Sequence, residues 1–264
     1  MKSSSIIAIP MNGGYGPYSY TNNSNIQKRV IDAARVMIEE VIEHKLDIHA
    51  SAAVPKAFVI ADLGCSVGPN TFTAIQNIIN AVNLKCSIFK GCTSSLSSAN
   101  GESSSHTFHV FFNDHATNDF NTLFTSLPPD RQYFAAGVPG SFYTRLFPQD
   151  SVHVIHCSEA KIDSFNLPMY TTSPKEAEIL FRRNENFSME RMEEIPFLNP
   201  ATTVTPSYYN DHIRAAAEGV VESHFGSEIK DELFDHHYLK KLEESNNILQ
   251  SPKSIMLFVI LKRN

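Results

Sequence analysis

A chain of 264 residues, 42% of them hydrophobic, has enough apolar side chains for one α/β domain or for one domain plus a small cap. Its formal net charge of -6 and pI near 6.0 argue against nucleic acid as the main partner, because a phosphate binder needs a basic face. Cys65, Cys86, Cys92 and Cys157 form no C-x-x-C pair, so a zinc site has little support and reduced thiols of a cytoplasmic protein are expected.

The apolar run Ile6-Ile7-Ala8-Ile9 is too short for a signal segment. No later window reaches membrane-spanning length, so no membrane partner is expected. Residues 11–25 (MNGGYGPYSYTNNSN) are rich in Gly, Asn, Ser and Tyr and read as a loop. From Ile26 to His44 the apolar positions Ile26, Val30, Ala33, Met37 and Val41 recur at helical spacing. Phe58 to Leu63 is a short apolar run ending at Gly64 and predicts a buried strand. Gly68-Pro69-Asn70-Thr71 then opens a helix carrying Phe72, Ile75, Ile78, Ile79 and Val82.

Residues 91–105 are low-complexity and polar, and the whole stretch 85–105 is expected to be a flexible insertion. Strands are predicted from His106 to Asn113, Tyr133 to Val138 and Ser151 to Cys157, with a short helix from Asp119. Ser188 to Ile195 and Ile255 to Lys262 are two further strand candidates. His212 to His224 and Glu228 to Glu244 look helical. Strands alternating with helices predict a mostly parallel sheet covered on both faces.

Three stretches carry candidate chemistry. Ala61-Asp62-Leu63-Gly64-Cys65-Ser66-Val67-Gly68-Pro69-Asn70 lies between a strand and a helix. Its glycines let backbone approach a ligand, and the helix start offers free N–H groups. A carboxylate at the strand end suits a sulfonium ligand bearing an ammonium group, or a ribose. The stretch fails as a dinucleotide fingerprint, since Gly64 and Gly68 do not give G-x-G-x-x-G. It does contain G-x-S-x-G, which keeps open an α/β hydrolase using Ser66. That fold, however, needs several strands before its nucleophile, and here only one helix precedes. A structural turn with no ligand is the plainer alternative.

Phe112-Asn113-Asp114 ends the next strand, where an acid can accept hydrogen bonds from both ribose hydroxyls. The competing role for Asp114 is a helix N-cap, which Asp119 fills better. Gly137 to Tyr143 marks a loop after the third strand, beside the same crevice, and Phe142 is placed to pack on a flat base. His153 and His156 stand three apart on a strand, so they face opposite ways and do not form a metal pair. His156, nearer the strand end, is the one expected to face the site and the substrate.

Read together, MNGGYGPYSYTNNSNIQ (11–27), ADLGCSVGPN (61–70), FNDHATNDFN (112–121), PGSFYTRLFP (139–148), VHVIHCS (152–158) and IDSFNLPMY (162–170) resemble the plant SABATH methyltransferases. That family methylates salicylate, benzoate, jasmonate, indole-acetate, farnesoate, loganate and, in one branch, xanthine nitrogens. The resemblance implies a Rossmann-like class I α/β sheet with helices on both faces and a helical cap, here truncated. It implies one methyltransferase domain over 1–264, with 1–27 closing over the site and 159–264 a remnant of the cap plus C-terminal strands. S-adenosylmethionine is the implied methyl donor and a small plant carboxylic acid the implied acceptor.

By position, Tyr20, Ser24, Asp62, Cys65 and Asn70 look like methionine-side contacts. Asp114 resembles the ribose acid, and His115, standing where the family has Leu, an adenosine contact. Ser141 and Phe142 resemble the adenine-side pair, and Gln27 the amide that holds the substrate carboxylate. In members with a magnesium ion, the ligands correspond to Asp163, the Phe165 backbone and Asn166. Members are often homodimers, which makes a second copy the expected protein partner.

One departure is large. Cys157-Ser158 is followed at once by Glu159-Ala160-Lys161-Ile162-Asp163, where family members carry a long block. That block holds an aromatic-Ser-Leu-x-Trp-Leu-Ser segment, part of the cap and a sheet strand, and this chain has no Trp. Its loss implies weak or absent activity. It also keeps in view an inactive cofactor-binding relative that pairs with an intact partner.

Overall fold

The computed structural model describes residues 11–46, 57–88, 107–158, 172–196, 205–245 and 255–264. The chain divides into two compact units. One comprises Gly13–Asn22 and Arg35–Ala160, the other Met1–Asn12, Asn23–Ala34 and Lys161–Asn264.

The first unit is built on a four-stranded parallel sheet in the order β3-β2-β1-β4. Its strands are β1 (Ala57–Leu63), β2 (Thr107–Asp114), β3 (Tyr133–Pro139) and β4 (Val154–Cys157). Alternate residues of the three long strands face one apolar core: Phe58 and Ile60, Phe108, Val110 and Phe112, and Tyr133. Helix α3 (Pro69–Ile88) fills that core with Phe72, Ile75, Ile78, Ile79 and Val82, at the spacing its sequence predicts. Ile38 and Ile42 of α2 (Asn25–Lys45) and Leu123 of α4 (Phe120–Thr125) pack against the same cluster. On the opposite face Phe111 meets Phe147 with ring centroids 5.6 Å apart. Phe134 of β3 and Ile155 of β4 are 68% and 59% exposed there.

The second unit holds a two-stranded antiparallel sheet, β5 (Phe187–Pro196) with β6 (Ile255–Arg263), interrupted by a bulge between Met189 and Arg191. Both strand candidates are thus strands, and among the described residues they form a sheet of their own, hydrogen-bonding only to each other. Strand identity is legible from residue alternation, but the partner is a long-range choice. Around them lie α5 (Pro174–Arg182), α6 (Pro206–Phe225), α7 (Ser227–Glu232), a π-helical turn at Leu233–His237, and α8 (Tyr238–Glu244). Arg214 of α6 is 3% exposed and bonds Glu218, Asp231 and Asp235 while lying over the Phe234 ring. This buried cation is tolerable because its donors are paired.

Other boundaries shift for readable reasons. Tyr20–Asn23 forms a short helix, α1, inside the stretch read as loop. α6 begins at Pro206 rather than near His212, because the Thr205 hydroxyl caps it by accepting from Tyr208 N at 3.2 Å. α5 was not expected, although Ser173-Pro174 gives the same start signal, with Ser173 Oγ accepting from Glu176 N. Asp119 caps α4 as expected, accepting from Thr122 N at 2.9 Å. β4 is shorter than predicted and starts at Val154. The insertion at 91–105 lies outside the described residues.

Lys85 joins α3 to the end of α2. Its ammonium, 7% exposed, donates to the carbonyls of Ile42, Glu43 and Leu46 at the C-terminal end of that helix. Replacing it, Lys85→Met, is expected to cost about 2–3 kcal/mol, since charged hydrogen bonds contribute about 1.5–3 kcal/mol and the carbonyls stay buried. Urea unfolding of both proteins measures this, and a loss under about 0.5 kcal/mol would contradict it.

Candidate functional site

The tips of β1 and β2 point the same way because the strands are parallel, with Asp62 opposite Phe112 and Leu63 opposite Asn113. Ligands of open α/β sheets bind beyond such carboxyl ends. The turn from β1 into α3 runs through Gly64 at φ 77° and Ser66 at φ 52°. Left-handed backbone suits Gly64, and a Cβ built there would meet no atom within 4 Å, so the turn faces open space. Ser66 adopts the same region at a cost that its surroundings must offset.

Those surroundings are on β2. Asn113 O accepts from both Gly64 N and Cys65 N, at 2.9 and 3.0 Å. The Asp114 carboxylate accepts from Ser66 N and His115 N, each at 2.7 Å. Asn118 Nδ2 donates to Ser66 O at 3.0 Å. Asn113 also reaches the other way, its Nδ2 donating to Val138 O and Gly140 O at 2.7 and 2.9 Å. Gly140 N returns a bond to Asp114 O at 2.9 Å. The loop carrying Ser141 and Phe142 is thus tied to the same two residues as the Gly64 turn. Sequence reasoning assigned Asn113 no role, because an amide at a strand end has no pattern of its own.

Asp62 is 3% exposed. Its Oδ1 lies 2.7 Å from His156 Nδ1 on β4, and its Oδ2 accepts from the Thr71 hydroxyl of α3. Thr71 is a second participant that sequence reasoning missed. Burial pushes the Asp114 carboxyl above the usual carboxylate range, although the Ser66 and His115 amides pull it down. Burial and the charges of Asp62 and Asp114 also raise the Cys65 thiol, which argues against a reactive thiolate. Among the described residues, Cys65, Cys86 and Cys157 form no disulfide.

The structure brings Asp62, Cys65, Asn70, Asp114, His115, Ser141, Phe142, His156 and Tyr20 into one unit. Asn70 sits in the first turn of α3, 7% exposed. His115 Nδ1 is 2.9 Å from Thr117 Oγ1. Phe142 packs on Tyr143 with centroids 4.8 Å apart. Tyr20 opens α1, and the loop before it is fastened beside α4. There Tyr15 OH bonds Ser126 Oγ at 2.6 Å, and a Cβ on Gly13 would come within 2.8 Å of Asp119 Oδ2. Ser24 and Gln27, both 4% exposed, belong to the other unit. Asp163, Phe165 and Asn166 lie outside the described residues, among which no group of three or more His, Cys, Asp or Glu is arranged to hold a metal. Among the same residues no helix is long and apolar enough to cross a membrane.

A family model described as SAM dependent carboxyl methyltransferase matches residues 7–160 and 157–264. The chain belongs to this family. It is 31% identical to the loganic acid O-methyltransferase of Catharanthus roseus, over 97% of this chain and 94% of the relative. It is 45% identical to the farnesoic acid carboxyl-O-methyltransferase of Arabidopsis thaliana, over 64% of this chain and 43% of the relative. A solved loganic acid methyltransferase with SAH superposes with a TM-score of 0.83 at 30% identity, covering 97% of this chain and 99% of the other. The Catharanthus alignment spans 364 positions, about a hundred more than this chain's 264 residues. The two matched segments of the family model meet at 157–160, where the sequence loses its block.

The residues present fit the carboxyl methyltransferases' cofactor. Two carboxylates at adjacent strand tips suit its ammonium and its ribose hydroxyls, and the Gly64 turn leaves room beside them. Ser66, by contrast, has its Oγ buried without a hydrogen-bond partner among the described residues, where no histidine activates it as a hydrolase nucleophile would require.

The raised Asp114 carboxyl has a consequence for stability. An acid whose pKa is higher folded than unfolded stabilises the fold fully below the ordinary carboxylate pKa, and that contribution is lost as pH rises through the raised value. The stability of the wild type relative to Asp114→Asn should therefore fall as pH rises from the acid range toward neutrality. Thermal melts at a series of pH values test it, and a pH-independent difference would contradict it.

Proposed function

We propose that this chain binds S-adenosylmethionine at the β1 and β2 tips and methylates a small plant carboxylic acid. The observation that carries the reading is the pair Asp62 and Asp114, two buried or half-buried carboxylates at neighbouring parallel strand tips flanking an open glycine turn. Asp62, Cys65 and Asn70, with Tyr20 and Ser24, serve the methionine end. Asp114 receives the ribose hydroxyls, and His115, Ser141 and Phe142 line the adenosine end. Gln27 orients the acceptor's carboxylate.

When bound, the cofactor supplies a methyl group on a sulfonium, activated toward displacement. The acceptor carboxylate is already ionised at neutral pH, so the chain needs no general base. A new C–O bond forms at the methyl carbon while the S–C bond breaks, leaving a thioether and a methyl ester. The protein's residues hold both ends in line and exclude water. A homodimer in the cytoplasm is the setting this reading carries over from the family.

The join at 158–159 bears on the acceptor side. The block missing there would have shaped the lid over the acid, so alignment suffers more than cofactor binding. A misplacement of about 1 Å costs on the order of 100-fold in rate. Titration with S-adenosylhomocysteine is expected to give micromolar binding. Turnover with salicylate, benzoate, loganate or farnesoate is expected to be at least about 100-fold below that of a full-length relative assayed alongside. Failure to bind would remove the cofactor reading, and full turnover would remove the role given to the block.

A further inference from the structure

His156 has no task in the displacement derived above, yet its side chain is only 17% exposed and is fixed in place. It occupies the register position on β4 opposite Asp62 on β1, and its Nδ1 lies 2.7 Å from Asp62 Oδ1. Thr71 closes on the other carboxylate oxygen from α3. Asp62 is thereby gripped from β4 and from α3, which fixes its rotamer at the strand tip. A carboxylate this buried must be hydrogen-bonded to stay charged. The form of the imidazole then decides the net charge of the pair. A neutral ring donating Nδ1–H leaves the negative charge of Asp62 intact, whereas a protonated ring cancels it.

We propose that His156 is a positioning residue for the cofactor rather than a substrate contact: its neutral Nδ1–H aims the Asp62 carboxylate at the incoming ammonium, and protonation of the ring switches that attraction off. The inference rests on the reading of Asp62 as the methionine-side acid. Among the described residues, the charged and titratable groups at these strand ends are few. β1 presents Asp62, the following turn Cys65, and the β2 tip Asp114, while β4 itself adds Cys157. The Cys157 thiol is pushed up to about 11, by burial first and then by Asp62, so it stays neutral near pH 7. α3 has no acidic residue in its first turn. Burial pushes the His156 imidazole down, but the charge and hydrogen bond of Asp62 outweigh it and the net direction is up. The ring therefore titrates above the ordinary histidine range, and an ammonium arriving beside Asp62 must favour loss of its proton.

The test uses the full chain and S-adenosylhomocysteine, titrated calorimetrically in buffers of different ionisation heat across neutrality. The wild type should release a proton on binding, and its affinity should strengthen as pH rises through neutrality. His156→Asn keeps an N–H near the Nδ1 position but does not titrate. It should bind within about threefold of the wild type's high-pH affinity, with no proton release. His156→Leu should bind about tenfold more weakly at every pH, the equivalent of one lost polar contact. NMR titration of the ligand-free imidazole supplies a readout independent of the cofactor, in which Asp62→Asn should lower the His156 pKa. Wild-type binding that is flat with pH and releases no proton would overturn this inference alone. So would a His156→Asn variant that shifts the acid's KM but not cofactor affinity. No binding by the wild type, with the NMR coupling intact, would overturn the cofactor reading and this inference with it.

Discussion

Everything near the site depends on the last two residues of β2. Asn113 and Asp114 accept the amides of Gly64, Cys65 and Ser66 on one side and hold Val138 and Gly140 on the other. A loop has no geometry of its own, because its backbone groups must find partners somewhere. Here both loops find them on one strand, which is itself paired on both edges by β1 and β3. The ladder thus transmits its rigidity to two segments that would otherwise be free to open. Asn113 is fully buried, and an amide in that position carries the two donors that the Val138 and Gly140 carbonyls require.

The same arrangement manages two acids close to one another. Asp62 is buried and Asp114 half-buried, and each accepts hydrogen bonds from the protein, Asp62 from Thr71 and His156 and Asp114 from the Ser66 and His115 amides. Lys85 and Arg214, the buried cations, spend their donors on α2 carbonyls and on the α6–α7 acids instead. Among the described residues no Lys or Arg pairs with either carboxylate, so the tips of β1 and β2 hold negative charge whenever the His156 ring is neutral. That is the electrostatic setting a positively charged ligand fits, because its own charge completes what the protein leaves open. His156 is the adjustable element in this setting, being the one partner of Asp62 that can change its charge.

The parallel sheet ends on a short strand among the described residues. Among the described residues, β4 pairs with β1 alone, while β5 and β6 pair only with each other. Short edge strands are one way proteins limit adventitious pairing, and β4 is only four residues long. Phe134 and Ile155 are exposed on the same side of the sheet among the described residues.

Much of this was legible in the sequence. The strand–glycine–helix succession at 58–82 places Asp62 and the Gly64 turn, because a short apolar run, a left-handed glycine and a periodic helix are local signals. Asp114 at a strand end and Asp119 at a helix cap were separable for the same reason. The break after Ser158 was also readable, as motifs in order with a stretch left out. Which strands pair, and with what, was not: β5 and β6 have the alternation of strands but no local mark of their partner. Nor could the sequence show that Asn113 ties two loops, or that His156 and Thr71 grip Asp62. Those contacts join residues 94, 27, 25 and 9 positions apart, and only the folded sheet with its packed helix brings them together. Local propensity and motif order fixed what the pieces are and which chemistry they carry. The tertiary structure alone decided how their polar groups satisfy one another, because a buried hydrogen bond is chosen by proximity in space and not along the chain.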